Sequence, residues 1–106
     1  MKWVLGFAFA ALGCQRATPP PDDLYTQDVA NICNVMELSG AKGMSGADVR
    51  YTTATWFGSH LKTEEAHRFM VQIQPLVGEE KAKALEAEAH RVGLADCALA
   101  NDWRAR

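Results

Sequence analysis

His60, Glu64 and His67 are the residues whose types and spacing come closest to a metal site. Separations of four and three residues would place all three side chains on one face of a continuous helix, as the ligands of a zinc or copper ion require. Thr63, however, followed directly by two acids, is a typical helix start, and it lies between the two histidines. The pattern therefore favours solvated histidines beside a turn, and we predict no metal site and no cofactor.

The other reactive groups lack the spacing that catalysis needs. The three cysteines form no Cys-x-x-Cys pair, which excludes a thioredoxin-like redox motif and a covalent haem attachment motif. No serine lies in a Gly-x-Ser-x-Gly elbow, and the glycine-rich residues 43–46 lack the spacing and the lysine of a phosphate-binding loop. Paired acids fall at predicted helix starts or on solvated faces. We therefore expect no enzymatic activity and assign no catalytic residue.

Aromatic residues are the best candidates for binding a partner. Trp56 and Phe57 precede a Gly-Ser-His segment that ends at His60. Aromatic residues at helical spacing more often belong to the core, but a tryptophan beside such a segment can also line a shallow groove for a protein partner. Trp56, Phe57 and His60 are therefore the predicted interaction surface, with the core interpretation as the alternative.

Composition narrows the class of protein and of partner. A chain of 106 residues with 48% hydrophobic and 23% charged residues is typical of one globular domain. The net charge is −2, and no basic run is interleaved with aromatic residues. Because phosphate neutralisation needs clustered cations, we expect no nucleic-acid partner.

Helical periodicity predicts the elements that position these residues. Hydrophobic spacing, caps and breakers predict helices over residues 22–39, 47–61, 63–75, 79–92 and 96–103, and no strand. Asp22 or Asp23 is the expected N-cap of the first helix and Thr63 that of the third, Pro75 stops or kinks the third, and Gly93 is the expected C-cap of the fourth.

The predicted apolar stripes are Tyr25, Val29, Ile32, Cys33 and Met36 in the first helix, Ala66, Phe69, Met70 and Ile73 in the third, and Ala82, Leu85, Ala89 and Val92 in the fourth. In the second of these helices, the predicted buried stripe consists of Tyr51, Ala54, Phe57 or Gly58, and Leu61. The expected fold is an all-α, compact bundle of four to five short helices.

Cysteine placement predicts a covalent link across this bundle. Cys33 falls inside the first predicted helix, and Cys97 follows the fourth. A disulfide between them would tie the two ends of the domain together and constrain the unfolded chain by about 4 kcal/mol. Two buried free thiols are the alternative, as is common in cytosolic proteins.

The first residues have the character of an export signal. Met1 and Lys2 give a short positive start, and residues 3–12 form an apolar run. About 20 residues are needed to span a bilayer, so this run matches the hydrophobic region of a signal peptide. Cleavage at a small-x-small site such as residues 8–10 would leave Cys14 as a thiol near a chain end.

The segment Ala11-Leu12-Gly13-Cys14 resembles the type II signal peptide of bacterial lipoprotein precursors. In that family a small residue precedes a cysteine that carries fatty acyl chains such as palmitate and becomes the mature N-terminus. The family usually has leucine three residues before the cysteine, whereas here it is two before. The resemblance implies a signal peptide over residues 1–13, a lipidated Cys14 with a proline-rich tether over residues 14–22, and a helical domain over residues 23–106.

The resemblance also implies a location and a class of function. Gln15 stands where an inner-membrane retention signal often has aspartate, so we expect an exported protein of the cell envelope, anchored in the outer membrane and facing the periplasm. The expected function is that of a membrane-anchored envelope lipoprotein whose helical domain binds an envelope protein or supports an assembly. The alternative is a periplasmic carrier of a small ligand or metal that uses His60 and His67.

Overall fold

The computed structural model describes residues 23–106 of the chain, and the predictions made for residues 1–22, Cys14 among them, lie outside these residues. The described part contains no strand. It forms six helices: α1 (Leu24–Cys33), α2 (Val35–Leu38), α3 (Ala47–His60), α4 (Glu64–Ile73), α5 (Gly78–Arg91) and α6 (Ala98–Ala105). The predicted all-α bundle is confirmed. The described residues form one helix more than the expected maximum of five, because the first predicted helix is divided at Asn34.

Asn34 divides the first predicted helix into α1 and α2. Its backbone has φ −106° and ψ 15°, so the residue leaves the helical conformation. The backbone N–H and the side-chain amide of Asn34 both donate to the carbonyl of Ala30, at 3.1 and 2.9 Å. The side chain thereby competes for a helical acceptor, as asparagine commonly does. The helical turn that resumes after it buries Val35.

Capping residues fix several helix ends where the sequence predicts them. Asp23 is the N-cap of α1, and its carboxylate accepts a hydrogen bond of 2.6 Å from the hydroxyl of Thr26. Thr63 caps α4, since its hydroxyl accepts from the backbone N–H of Ala66 at 3.1 Å. Gly93 follows α5 with φ +98°, the left-handed conformation that glycine adopts readily at a helix C-terminus.

The core lies where α1, α4, α5 and α6 face one another. Ile32 and Leu85 are the largest fully buried side chains, one from α1 and one from α5. The apolar stripes predicted for α1, α4 and α5 supply most of the core. Its buried members are Val29, Ile32, Cys33, Val35, Leu61, Ala66, Ile73, Ala82, Leu85, Ala89, Cys97, Leu99 and Ala100.

Helices α5 and α6 form the most closely packed pair. Arg104, near the end of α6, binds Glu79 at the start of α5 at 3.1 Å and Glu86 at 2.7 Å. The ammonium of Lys81 lies 4.9 Å from the ring centroid of Trp103. The two helices are therefore antiparallel, with charged and aromatic contacts on the outside and the apolar stripe of α5 inside.

A disulfide joins this helix pair to α1. Cys33 is the last residue of α1 and Cys97 the N-cap of α6, and their Cα atoms are 4.8 Å apart. Both cysteines are buried in the core. The predicted Cys33–Cys97 bond is confirmed, and it links the first helix of the domain to the last.

Helix α3 is rotated relative to the prediction. Of the stripe predicted to be buried, Tyr51, Ala54 and Gly58 are exposed, and Tyr51 is 74% exposed. Leu61, directly after the helix, is buried as expected, and Phe57 is half-buried. The predicted orientation of the helix is therefore wrong.

The inward face of α3 consists of half-buried residues, of which only Phe57 belongs to the predicted stripe. Val49, Thr53, Trp56 and Phe57 lie on this face, and the two aromatic rings pack against the core. The large rings of Trp56 and Phe57 bury more apolar area than the single ring of Tyr51, whose hydroxyl also prefers water. Aromatic bulk therefore set the rotation of α3.

Candidate interaction surface

The three residues of the predicted interaction surface lie at the C-terminal end of α3. Trp56 and Phe57 are half-buried, with ring centroids 6.2 Å apart in an edge-to-face arrangement. His60 is exposed and stacks on the indole of Trp56, with centroids 4.3 Å apart and rings 5° from parallel. The structure thus brings the three side chains together, with the two larger ones turned partly to the core and His60 covering the indole.

The histidines use one ring nitrogen each in a local hydrogen bond. His60 Nδ1 lies 3.0 Å from the carbonyl oxygen of Trp56, and His67 Nε2 lies 3.2 Å from that of Leu61. A carbonyl only accepts, so in both bonds the ring N–H donates. Within residues 23–106, no three His, Cys, Asp or Glu side chains are grouped so that they could hold a metal ion. Among these residues, His60 and His67 are therefore not part of a metal-binding group of three.

Asp28 is a buried carboxylate that fixes the junction between α3 and α4. The residue is fully buried, and its oxygens accept from the backbone N–H of Lys62 at 3.0 Å and of Thr63 at 2.7 Å. The hydroxyl of Thr63 donates to the same carboxylate at 2.7 Å. These bonds compensate the cost of burying the charge. The C-terminal end of α3 is thus held against α1 by hydrogen bonds.

Sequence reasoning did not single out Asp28, although a signal was available. The residue interrupts an apolar face on which Tyr25, Val29 and Ile32 recur at helical spacing. An acid within such a face needs buried partners, because an unpaired carboxylate is costly to desolvate. The sequence could have indicated that Asp28 has partners, but not that they are two residues about 35 positions away.

A second polar cluster connects α1 to α5. The hydroxyl of Tyr25 donates to Glu88, which also accepts from Arg91 at 2.7 Å. Burial, and then this hydrogen bond, raise the pKa of Tyr25 far above its ordinary value. The bond from Arg91 lowers the pKa of Glu88. The carboxylate is thus held in its charged form between two donors, which suits a structural contact between the helices.

Two open clefts lie near the two ends of α1. One of about 360 Å³ borders the Tyr25 cluster and contains both acids and arginines, including Glu65 and Arg68. The other, about 320 Å³, lies beside Cys33 and is lined by Lys42, Asp102 and other polar or apolar residues. Both clefts contain acidic and basic side chains, so neither has the uniformly positive or negative electrostatic potential that would attract a charged ligand.

The outward face of α3 has an unusual surface for an exposed helix. We call Tyr51, Ala54, Thr55 and Gly58 the outer stripe, and all four residues are exposed. Between Arg50 and Lys62 the sequence has no Asp, Glu, Lys or Arg. Depletion of charge together with exposed aromatic residues is typical of the centre of protein interfaces. The outer stripe therefore extends the candidate surface from the end of α3 along its whole outward side.

None of the helices formed by residues 23–106 is both long enough and apolar enough to cross a membrane. No known protein family, curated protein sequence or solved structure matches the chain.

Proposed function

We propose that the protein is a lipid-anchored protein of the bacterial cell envelope whose helical domain, residues 23–106, binds another protein. In this proposal residues 1–13 are removed, Cys14 carries the lipid, and residues 14–22 connect the anchor to Asp23. The domain acts through its surface and not through a catalytic site. The anchor faces the periplasm from the outer membrane, as the resemblance of residues 11–14 to lipoprotein precursors implies.

The observation that carries the anchoring proposal is the pairing of Cys33 with Cys97. The chain has three cysteines, and two of them are buried and bonded to each other. Structural disulfides persist in oxidising compartments such as the periplasm and are rare in the cytosol. The pair therefore supports export, and it leaves Cys14 as the cysteine available for acylation.

The binding proposal is supported by the composition of α3. None of the residues Ala47–His60 is fully buried, and Trp56 and Phe57 are the aromatic residues through which the helix packs against the core. It nevertheless has no charged residue from position 51 to its end, whereas an exposed helix ordinarily has a charged face. A helix without a charged face beyond Arg50 is suited to contacts on two sides, and the domain core supplies one of them.

Intact mass spectrometry of the full chain, expressed in bacteria and extracted from membranes, tests the anchor. We expect a mass that lacks residues 1–13, contains acyl chains on Cys14 and lacks the two hydrogens of a disulfide. Cys14→Ser is the matched control and should carry no acyl mass while retaining the disulfide. A full-length mass, or cleavage near residue 10 without acylation, would contradict the anchoring proposal.

Site-specific photo-crosslinking in living cells tests the binding surface. A photoreactive phenylalanine analogue in place of Tyr51 should give a discrete crosslinked band, because Tyr51 belongs to the outer stripe and is 74% exposed. The matched control carries the same group in place of Ala87, an exposed residue of α5. Equal crosslinking at both positions, or none at Tyr51, would contradict the binding proposal.

A further inference from the structure

The segment that leads from α2 into α3 is the most accessible part of the described backbone. Residues 42–48 are all exposed, and no longer run of consecutive exposed residues occurs within residues 23–106. Gly40, Gly43 and Gly46 have positive φ, and a Cβ atom added at any of them would meet no atom within 4 Å. The N–H groups of residues 45–47 donate no backbone hydrogen bond in this part of the chain. Exposed segments of small residues with few backbone partners are the preferred sites of proteolytic cleavage.

The peptide bond after Lys42 lies in a small turn within this segment. The N–H of Met44 donates to the carbonyl of Ala41 at 2.9 Å, and the N–H of Lys42 donates to that of Met36 at 3.0 Å. Ala41 is buried, but it does not belong to the core that the helices form. Opening the turn therefore breaks two hydrogen bonds to neutral carbonyls and exposes little more than one methyl group. The side chain of Lys42 is 75% exposed, so a protease pocket can bind it.

Lys62 also connects two helices, but its backbone is held differently. Lys42 and Lys62 are the lysines of residues 23–106 that lie outside helices. The N–H groups of Lys62 and Thr63 donate to the buried carboxylate of Asp28 at 3.0 and 2.7 Å. Opening this junction would leave a buried charge without these donors, which costs more than the loss of hydrogen bonds between neutral groups. The fold thus leaves the bond after Lys42 accessible and protects the bond after Lys62.

The disulfide determines what cleavage after Lys42 would produce. Cys33 precedes this bond and Cys97 follows it, and both cysteines are buried. The piece that ends at Lys42 therefore stays covalently joined to residues 43–106. Val29 and Ile32 of the first piece also belong to the core, so packing holds the two pieces together as well. Cleavage at this position changes the covalent connectivity of the domain without dissociating it.

We propose that the Lys42–Gly43 peptide bond is a processing site for an endoprotease that cleaves after lysine, and that the product is a two-chain domain joined by the Cys33–Cys97 disulfide. Water adds across the amide, so Lys42 gains a carboxylate and Gly43 an amino group. Helix α3 then loses its covalent link to α2, while its C-terminal end remains held by Asp28. The processing goes beyond the proposed function, and only the retention of both pieces at the membrane rests on the proposed anchor.

Limited digestion of the full chain with trypsin, which cleaves after lysine and arginine, tests the accessibility of the site. Cleavage after Lys42 should be at least about ten-fold faster than cleavage after Lys62, because the second site opens only when hydrogen bonds to a charged group break. The product should run as one band without reductant and as two with it. Lys42→Gln should abolish this cleavage, and Lys62→Gln is the matched control that should retain it. Equal rates at the two lysines would overturn the proposal.

The chain isolated from the bacterium that produces it tests the processing itself. After thiols are blocked, intact mass spectrometry should show a gain of one water molecule relative to the uncleaved chain. Reduction should then release a fragment that begins at Gly43. The K42Q variant in the same cells should remain a single chain after reduction. A parent chain that stays intact after reduction, or a fragment formed equally from K42Q, would overturn the processing site.

The outcomes separate this inference from the proposed function. A two-chain protein without acyl chains on Cys14 would support the processing site and overturn the anchor, whereas an acylated single chain would do the opposite. Asp28→Asn gives an independent check on the protection of Lys62. It should increase the rate of tryptic cleavage after Lys62 and leave the rate after Lys42 unchanged. An unchanged rate after Lys62 would show that Asp28 is not the source of the selectivity and would overturn this part of the inference.

Discussion

Helices α3 and α5 each have 14 residues, but the contacts that hold them differ. Helix α5 buries Ala82, Leu85 and Ala89, and acids and bases cover its other side. Helix α3 has no fully buried residue and no charged residue after Arg50. A charged face cannot be buried cheaply, so charge fixed the orientation of α5. Without that constraint, the orientation of α3 depended on which aromatic residues the core could accept.

The largest expected effect concerns the disulfide that joins α6, and α5 with it, to α1. Replacing both Cys33 and Cys97 with serine should lower the free energy of unfolding by about 4 kcal/mol, since the bond closes a loop between residues 64 positions apart. Urea denaturation followed by circular dichroism measures the loss. Cys14→Ser should leave this value unchanged, and a loss below about 1 kcal/mol in the double variant would contradict the prediction.

Two side-chain truncations to alanine, one in α5 and one in α3, compare how much each helix contributes to the core. Leu85→Ala should cost about 3 kcal/mol, because the side chain is fully buried and its removal leaves a cavity in the core. Tyr51→Ala should change the free energy of unfolding by less than about 0.5 kcal/mol. Both values come from chemical denaturation followed by circular dichroism. Similar losses in the two variants would show that the outer stripe belongs to the core.

Removal of the Asp28 charge tests how the end of α3 is held. Asp28→Asn should cost about 2 kcal/mol, since the amide nitrogen brings a donor toward groups that themselves donate. Hydrogen exchange should show faster opening at the backbone N–H groups of Lys62 and Thr63. Asp48→Asn is the matched control on the exposed start of α3. An unchanged exchange rate at Lys62 in D28N would contradict this account.

Alkaline pH should weaken the contact between Tyr25 and α5. The raised pKa of Tyr25 means that the unfolded tyrosine ionises near pH 10 while the folded one stays neutral. The resulting stability is fully present below pH 10 and is lost as the pH rises above it. We expect the Tm of the parent chain to fall more steeply from pH 10 to 11 than that of Tyr25→Phe, with Tyr51→Phe as the control. Equal slopes for the parent and Y25F would exclude this linkage.

The smallest expected effect is a gain in stability within α3. Gly58→Ala should raise the free energy of unfolding by up to about 1 kcal/mol, because the added methyl group meets open space and alanine favours helix. Gly93→Ala provides the contrast and should lower stability, since φ at this position is +98°. Thermal melting of the two variants shows whether each substitution raises or lowers the stability of the domain. A destabilised G58A would show that α3 needs glycine inside the single domain.

Local patterns predicted much of the fold. The N-cap Thr63, the break at Pro75 and the apolar stripe of α5 are correct, and Asp23 is the one of the two candidate residues that caps α1. These features depend on residues within about one or two helical turns, where sequence spacing maps directly onto geometry. The Cys33–Cys97 bond was also predictable, because the resemblance at Cys14 left one pair of cysteines.

The sequence by itself determined that residues 23–106 form helices, where most of these helices begin and end, and which residues of α1, α4 and α5 are buried. Tertiary structure decided the rest: the rotation of α3, which places Tyr51 and Gly58 outside, and the burial of Asp28 against Lys62 and Thr63. The physical reason is the same in both cases. A helix without a charged face has several orientations of similar energy, so its contacts with distant residues determine which one it adopts. A buried carboxylate needs hydrogen-bond donors, and residues far away in the sequence supply them.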